Sequence, residues 1–521
     1  MPTVPDDSAT IAADARQLRE MGYVQELARR MNGFSNLAIS LSIICILAGG
    51  LTSFHLGFCS VGGASIGLGW PLVSLFSLVV AAAMAQVASA FPTAGGLYHW
   101  AAILGGRGWG WLTAWFNIAG LVTVLAAINV GTYQFVAGAF FPDLANHIPT
   151  QLAVVALVTF SQAAINHLGI RVTTLLTDFS GYFILIVAAL LTVVLLAAAG
   201  QWEPARLVTF ANYSGLPEGA PVWGRTSSYG WLFALGFLLP AYTITGFDAS
   251  AHVSEETVGA AINVPRGIVR SVLVSGIAGW IMLAAIVLAI PDMDAGAAQG
   301  PQVFFVTLRA LLPSWTVALL CGSIGIAQYL CGLATVTSAS RMVYAFARDG
   351  GLPATLRRVC PRFRTPDVAI WVVAATAFLF TVYTPVYSTI TAVCTIFLYI
   401  SYVLPSALGL AAYGRTWTRM GPWNLGIWYR PLAAASVLGC FGLIVIGMQP
   451  PNEQAFWVVC GAVVVLAAVW LLVVRHRFAG PPVGIASLNH PTSPLPTSRD
   501  DEQPAAQSAP LLAPSREAIH E

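Results

Sequence analysis

The chain has 521 residues, of which 57% are hydrophobic and only 9% charged, with a formal net charge of +2 and a mean hydropathy of +0.75. Soluble globular proteins carry roughly 25% charged residues, so an ordinary soluble enzyme is excluded, as is a disordered or fibrous chain. The near-neutral balance gives no footprint for nucleic acid, and because all 24 basic residues are arginine there is neither a Walker A phosphate loop nor a Schiff-base lysine.

A helix crossing the hydrocarbon layer needs about 20 apolar residues, so charge-free windows count the crossings. Residues 1–32 form a polar amino-terminal segment with no apolar core of the signal-peptide kind, and 17–30 suggest a short amphipathic helix. Residues 31–106 contain no Asp, Glu or Arg and leave room for spans 1 and 2, divided by a Gly-rich stretch at 62–71. Span 3 falls within 108–142, span 4 within 144–170 and span 5 around 179–202. Span 6 begins within 226–247, span 7 is 271–291 and span 8 is 310–340. The window 368–414 takes spans 9 and 10, with Tyr383-Thr-Pro-Val-Tyr387 between them; spans 11 and 12 are 431–452 and 454–474. From residue 475, and above all from Gly480, a tail rich in Pro, Ser and Ala is expected to be disordered. The fold class is therefore an all-α integral membrane protein with 12 transmembrane helices.

The arginines give an orientation. With a cytoplasmic amino terminus, 21 arginines lie inside and only Arg206, Arg225 and Arg309 outside, as the positive-inside rule requires. Both termini are then cytoplasmic, and the expected location is the plasma membrane or cell inner membrane. Trp109, Trp111 and Trp115, like Trp417, Trp423 and Trp428, cluster at span ends, the headgroup level. The eight cysteines, most within apolar runs, show no CxxC or metal-ligand spacing and read as small packing residues. No metal or cofactor is expected.

Two spans carry helix breakers near mid-membrane. Span 1 holds Gly49-Gly50, and span 6 holds Pro240, Gly246 and Asp248. Either could be a packing glycine pair or a proline kink. Their joint placement, first in two five-span units at 33–199 and 230–412, points further. Five is odd, so the second unit enters from the opposite side. Paired broken helices in such inverted repeats mark a transporter binding site. Spans 11 and 12, within 428–474, would be two extra helices.

Asp248 costs about 2.5–3.5 kcal/mol at mid-span on insertion scales. It either caps the second half of span 6 or faces a substrate ammonium or carries a proton. Free N–H groups near Leu51-Thr52 suit a carboxylate, and carbonyls ending the first half-helices suit an ammonium. A zwitterion matches both. The candidate substrate contacts flank the breaks: Ala48, Gly49, Gly50, Leu51 and Thr52 on span 1, and Tyr242, Thr245, Gly246, Phe247 and Asp248 on span 6. Asp178 reads as structural. Glu255 and Glu256 are expected to pair with nearby arginines.

Four stretches carry a family resemblance. They are Met21-Gly-Tyr-Val-Gln-Glu-Leu-Ala-Arg-Arg30 with Phe34-Ser and Ile39-Ser-Leu-Ser-Ile43; Met84-Ala-Gln-Val-Ala-Ser-Ala-Phe-Pro-Thr-Ala-Gly-Gly-Leu-Tyr98; Gly246-Phe-Asp-Ala-Ser-Ala-His-Val-Ser-Glu-Glu256; and Ala345-Phe-Ala-Arg-Asp-Gly-Gly-Leu-Pro353. In this order the chain resembles the amino acid–polyamine–organocation superfamily of permeases, and within it the amino acid/choline transporter family, which includes 4-aminobutyrate (GABA) permeases.

The resemblance implies a leucine-transporter-type fold of five plus five spans, alternating access, and a substrate held between spans 1, 3, 6 and 8. By position, Tyr242 is similar to an aromatic gate and Asn117 to a supporting polar residue of span 3. Thr335, Thr337 and Ser338 on span 8 would line a sodium site, unless their hydroxyls bond back to their own helix. Some proton-coupled relatives place a lysine on span 5, near Ile184 here; that mechanism is unavailable. Coupling would use Na+, H+ on a group such as Asp248, or a concentration difference alone.

The function expected is a secondary transporter for an amino acid or related amine such as GABA; a choline or polyamine permease of the same fold is the alternative. A channel would need a continuous polar pore lining and a membrane enzyme a catalytic cluster, and neither pattern is present. Its partners are a small-molecule substrate and the bilayer; the oligomeric state stays open.

Overall fold

The computed structural model describes residues 7–482 except 201, 385 and 451, so most of the expected disordered tail lies outside the described residues. Within them, helix is the only regular structure, and pairing of the β type is limited to two isolated bridges. Ten helices are long and apolar enough to cross a membrane. They are Gly33–Thr52 and Ser65–Ala90 (spans 1 and 2), Arg107–Phe140, Ile148–His167 and Ile170–Ala198 (spans 3 to 5), Ala260–Ala289 and Ser314–Arg348 (spans 7 and 8), and Tyr387–Ala412, Gly426–Gly447 and Glu453–Leu472 (spans 10 to 12). Asp367–Tyr383, the predicted span 9, is a shorter apolar helix of 17 residues. The predicted span 6 is divided into Tyr229–Gly236, Leu238–Thr243 and Ala249–His252.

Several helices outrun their charge-free windows. Arg266 and Arg270 lie inside Ala260–Ala289, and Arg341 and Arg348 inside Ser314–Arg348. The windows mark where side chains avoid charge, whereas the backbone ladder continues past that depth. Burial ranks the helices. The apolar window of span 1 is 89% buried, that of Glu453–Leu472 only 11%. Span 1 thus runs through the centre of the bundle and span 12 along its rim. Leu471 and Leu472 on that rim are exposed, as lipid-facing side chains would be.

The amino-terminal helix is Asp7–Glu20, earlier than the 17–30 read from the sequence. Gly22, at φ +84°, ends it. The Gly22 N–H donates to the Arg19 carbonyl and the Tyr23 N–H to that of Leu18, closing a Schellman turn that only a residue free to adopt positive φ makes cheaply. The sequence pattern placed apolar residues on one face but did not weigh that stop.

The Gly-rich stretch before span 2 works through contact. A Cβ on Gly67 would fall on the carbonyl oxygen of Leu207, and one on Gly63 on that of Arg206. The connection after span 5 therefore packs its backbone directly onto the start of span 2, pinned by Arg206 Nη1 donating to the Ile290 carbonyl at 2.6 Å. Intrinsic helix propensity favours alanine over glycine by about 1 kcal/mol. The contact reverses that sign: Gly67→Ala should lower the melting temperature of the detergent-purified protein, by an overpacking cost of about 1–3 kcal/mol. An unchanged or raised melting temperature would show that the connection is not seated there.

Candidate functional site

Span 1 leaves its helix after Ile44. Cys45 adopts φ +24°, and the ladder resumes as Gly49–Thr52 and then Phe54–Val61. The break thus falls at residues 45–48, just before the glycine pair marked by the sequence, and Ala48 stands at the head of the second piece. Gly49 is needed for approach: a Cβ there would lie 2.9 Å from Thr243 Oγ1 and 3.0 Å from Thr243 Cα of span 6. Span 6 breaks between Thr243 and Ala249, with Gly246 at φ +85° against Ile43. The two interruptions therefore face each other.

Free backbone groups in an apolar interior cost several kcal/mol each unless bonded. Here neighbouring spans supply partners. Tyr402 of span 10 accepts from the Gly246 N–H at 3.0 Å, and Ser40 of span 1 donates to the Phe247 carbonyl at 2.9 Å. Gln328 of span 8 donates to the Leu47 carbonyl at 3.3 Å, and the Cys331 thiol reaches the Ile43 carbonyl at 3.3 Å. At the head of the second piece of span 1, Gly50 and Leu51 hold early N–H positions that an intrahelical ladder does not fill.

Asp248 lies at the head of Ala249–His252 and is fully buried. Its side chain does not cap that helix. Oδ1 accepts from the Tyr402 hydroxyl at 2.8 Å; Oδ2 accepts from Asn117 Nδ2 at 3.1 Å and lies 3.2 Å from His252 Nε2. Asn117 also donates to Ser401 at 3.3 Å. Asn117, Gly246, Phe247 and Asp248 are thus brought together, with the Phe247 ring 4.9 Å from that of Tyr402. Thr245 Oγ1 turns back to the Tyr242 carbonyl at 2.7 Å.

A cavity of about 710 Å³ opens on one face, among the connections that follow spans 3, 5, 7, 9 and 11. Leu51, Thr52, His55, Tyr242, Tyr387 and Thr391 are among its lining. The Tyr387 hydroxyl bonds Thr52 at 2.7 Å and Ser53 at 3.1 Å, and its ring meets that of Tyr242 edge-on at 6.4 Å. Among the described residues lining it, no Asp, Glu or Arg occurs. Of the candidate contacts, Leu51, Thr52 and Tyr242 line the cavity; Ala48, Gly49, Gly50, Asn117, Thr245, Gly246, Phe247 and Asp248 do not.

The opposite, arginine-rich face is closed. Arg341 forks onto Glu256 at 2.9 and 3.1 Å with both side chains fully buried. Arg348 forks onto Glu255 at 2.8 and 3.0 Å. The Arg29 guanidinium donates to the Ser254 and Thr257 carbonyls and lies 3.5 Å from Asp14, which accepts from the Gly259 N–H at 2.8 Å. Nearby, Asp349 takes the hydroxyls of Tyr23 and Tyr98 at 2.8 Å each and faces His99 Nε2 at 3.0 Å. Burial would raise the Asp349 carboxyl, but the His99 contact, aided by Arg348 and Tyr98, holds it below the usual carboxylate range. Burial and the Asp349 carboxylate push the Tyr23 hydroxyl upward.

The span 8 hydroxyls diverge. Thr335 bonds back to the Cys331 carbonyl at 2.9 Å, Thr337 donates to Asn166 of span 4 at 2.6 Å, and the Ser338 hydroxyl is buried without a partner among the described residues. Asp178 accepts from Ser35 at 2.9 Å, tying spans 1 and 5. No group of three or more His, Cys, Asp or Glu side chains suited to a metal occurs among the described residues.

Sequence reasoning passed over Tyr387 and Tyr402, and took His252 for a scattered histidine of the core or an interface. Tyr402 lies 154 positions from its carboxylate partner, so no local spacing joins them. His252 stands four residues after Asp248, a one-turn spacing that the sequence did display.

Removing one partner of a buried ion pair costs about 3–5 kcal/mol, whereas an apolar replacement of both is often neutral. Arg341→Met alone should therefore sharply reduce the folded protein recovered and its melting temperature, and adding Glu256→Met should restore much of both. A double variant no better than the single would disprove the coupling.

A family profile described as Amino acid permease matches residues 31–473. The chain is 31% identical to "Amino-acid permease BAT1" of Arabidopsis thaliana, across 92% of this chain and 99% of that one. It is 27% identical to the "GABA-specific permease" of Saccharomyces cerevisiae, across 86% and 80% of the two chains. It is 24% identical to a "Putative polyamine transporter" of Candida albicans, across 91% and 90%.

Proposed function

The chain belongs to the amino acid permease family and is a multi-pass membrane transporter rather than an enzyme, and on that premise we propose that it moves a zwitterionic amino acid or a close relative such as GABA by alternating access. The observation that carries this reading is the uncharged cavity ending at the broken span 1, with a closed charged network on the opposite face. A wall without carboxylates suits a solute with no net charge and offers nothing to neutralise the several ammonium groups of a polyamine. The solute's carboxylate would meet the N–H groups of Gly50 and Leu51. Its ammonium would meet backbone carbonyls and the hydroxyl-rich floor of Thr52, Tyr242 and Tyr387.

In this reading the predicted spans are twelve: the ten long helices, the shorter Asp367–Tyr383 and the divided span 6. Units 33–199 and 230–412 form the inverted repeat, each led by its broken helix, with spans 11 and 12 outside it. The excess of arginines orients the closed face and the amino terminus toward the cytoplasm, in the plasma or inner membrane, so the cavity opens outward. Substrate would enter from outside, and separation of Arg341 from Glu256 and of Arg348 from Glu255 would open the other side. The pairs sit where the second part of span 6 meets span 8, so one rotation of span 6 would both release them and close the cavity.

Uptake into proteoliposomes of labelled GABA, neutral amino acids, choline and putrescine tests the proposal. Saturable uptake of at least one zwitterion, competed by other zwitterions and not by putrescine, is expected. Uptake confined to choline or putrescine, or none at all, would refute it.

A further inference from the structure

The pair Asp248 and His252 must hold a fixed number of protons. The Tyr402 hydroxyl oxygen already accepts the Gly246 N–H at 3.0 Å, so its single proton is committed to Asp248 Oδ1 at 2.8 Å. On the far side of the His252 ring, Nδ1 faces the Ala94 carbonyl at 3.2 Å. A carbonyl only accepts, so Nδ1 carries a proton. Nε2 faces Asp248 Oδ2 at 3.2 Å, and a further proton must lie in that contact. Placed on Nε2 it makes imidazolium and carboxylate; placed on Oδ2 it makes two neutral groups. Both arrangements are neutral overall. Without that proton, two lone pairs face each other and a net negative charge stays among side chains that are 0% exposed, an arrangement too costly to persist in a dry interior.

We infer that Asp248 and His252 form a proton-binding site that holds one exchangeable proton while this face of the protein is sealed and gives it up when the break at Gly246 moves. The inference rests on the transport reading above and names its coupling ion.

The surroundings leave this proton as the free variable. From span 3 comes Asn117, which does not titrate; from span 10 comes Tyr402, whose proton is committed. From span 8 come Arg341 and Arg348, engaged by Glu256 and Glu255, and the Glu255 carboxylate also accepts the Ala94 N–H at 3.1 Å. Helix Leu97–Gly105 brings His99, engaged by Asp349. Span 1 brings Asn36 and Ser40, both uncharged, and the buried side chains of span 7 include no charged group. Asn117 Oδ1 has no partner among the described residues, so its amide can turn to receive a protonated or amide side chain at position 248. The cavity stops short of the pair, so loading and unloading require span 6 to rearrange.

The step is a proton transfer with no other bond change: the protonated pair enters the cycle with substrate, and the proton leaves to the opposite compartment as His252 Nε2 or Asp248 Oδ2 loses it. One proton per substrate supports about a tenfold accumulation per unit of pH difference. The test uses the full chain in proteoliposomes with labelled GABA and neutral amino acids and an internal pH dye. An acidic exterior should drive accumulation with proton entry, while a sodium gradient alone should not. In Asp248→Asn, which mimics the protonated pair, and in His252→Gln, pH-driven accumulation should fall about tenfold relative to exchange in the same vesicles. Wild-type exchange without proton movement, or variants that keep pH-driven accumulation, would overturn the inference and leave the transport reading standing. Wild type that exchanges none of the panel would overturn the transport reading instead. A substrate-free readout then decides the proton site: infrared titration of purified protein should show one carboxyl–imidazole transition, lost in both variants, and its absence from wild type would overturn the inference.

Discussion

A bilayer interior gives a broken helix no water to bond, and this constraint organises the centre of the molecule. Two helices are interrupted at the same depth, and each interruption frees backbone groups that lipid cannot satisfy. The protein answers with neighbours. Tyr402 takes the Gly246 amide, Ser40 takes the Phe247 carbonyl, and Gln328 takes the Leu47 carbonyl. Spans 8 and 10 are thereby fixed around spans 1 and 6, and the breaks become a place where polar chemistry is already present in an apolar body.

The same constraint divides the two faces. Toward the cavity, the polar side chains are hydroxyls, amides and a histidine, as at Thr52, Tyr387, Gln134, Asn146 and His55. Toward the arginine-rich face they are forked ion pairs and the Asp349 cluster. An uncharged wall tolerates a hydrated, net-neutral solute at little cost.

Much of this was legible in the sequence. Charge-free windows located the ten long apolar helices, because a lipid-facing helix excludes charge along its length. The breaks in spans 1 and 6 were legible as glycine, proline and aspartate at mid-depth. Their details were not. The unwound turn of span 1 begins at Cys45, whereas Gly49 serves close approach to Thr243; a sequence marks a small residue without saying which of those it permits. Asp248 read by position as a helix cap or as a carboxylate facing a substrate ammonium or a proton; its carboxylate does not cap and turns to Tyr402, Asn117 and His252. Tyr387 and Tyr402 were hidden because an aromatic residue in an apolar run carries no mark of the partner it meets more than a hundred positions away.

The pairing of buried charges has an electrical consequence. Asp248 with His252, Glu255 with Arg348 and Glu256 with Arg341 are each neutral as units. Displacing one elementary charge through a membrane potential is worth about 2.3 kcal/mol per 100 mV, so the voltage exerts no net force on these pairs while they stay closed, and a motion that parts or deprotonates one is the step it can bias.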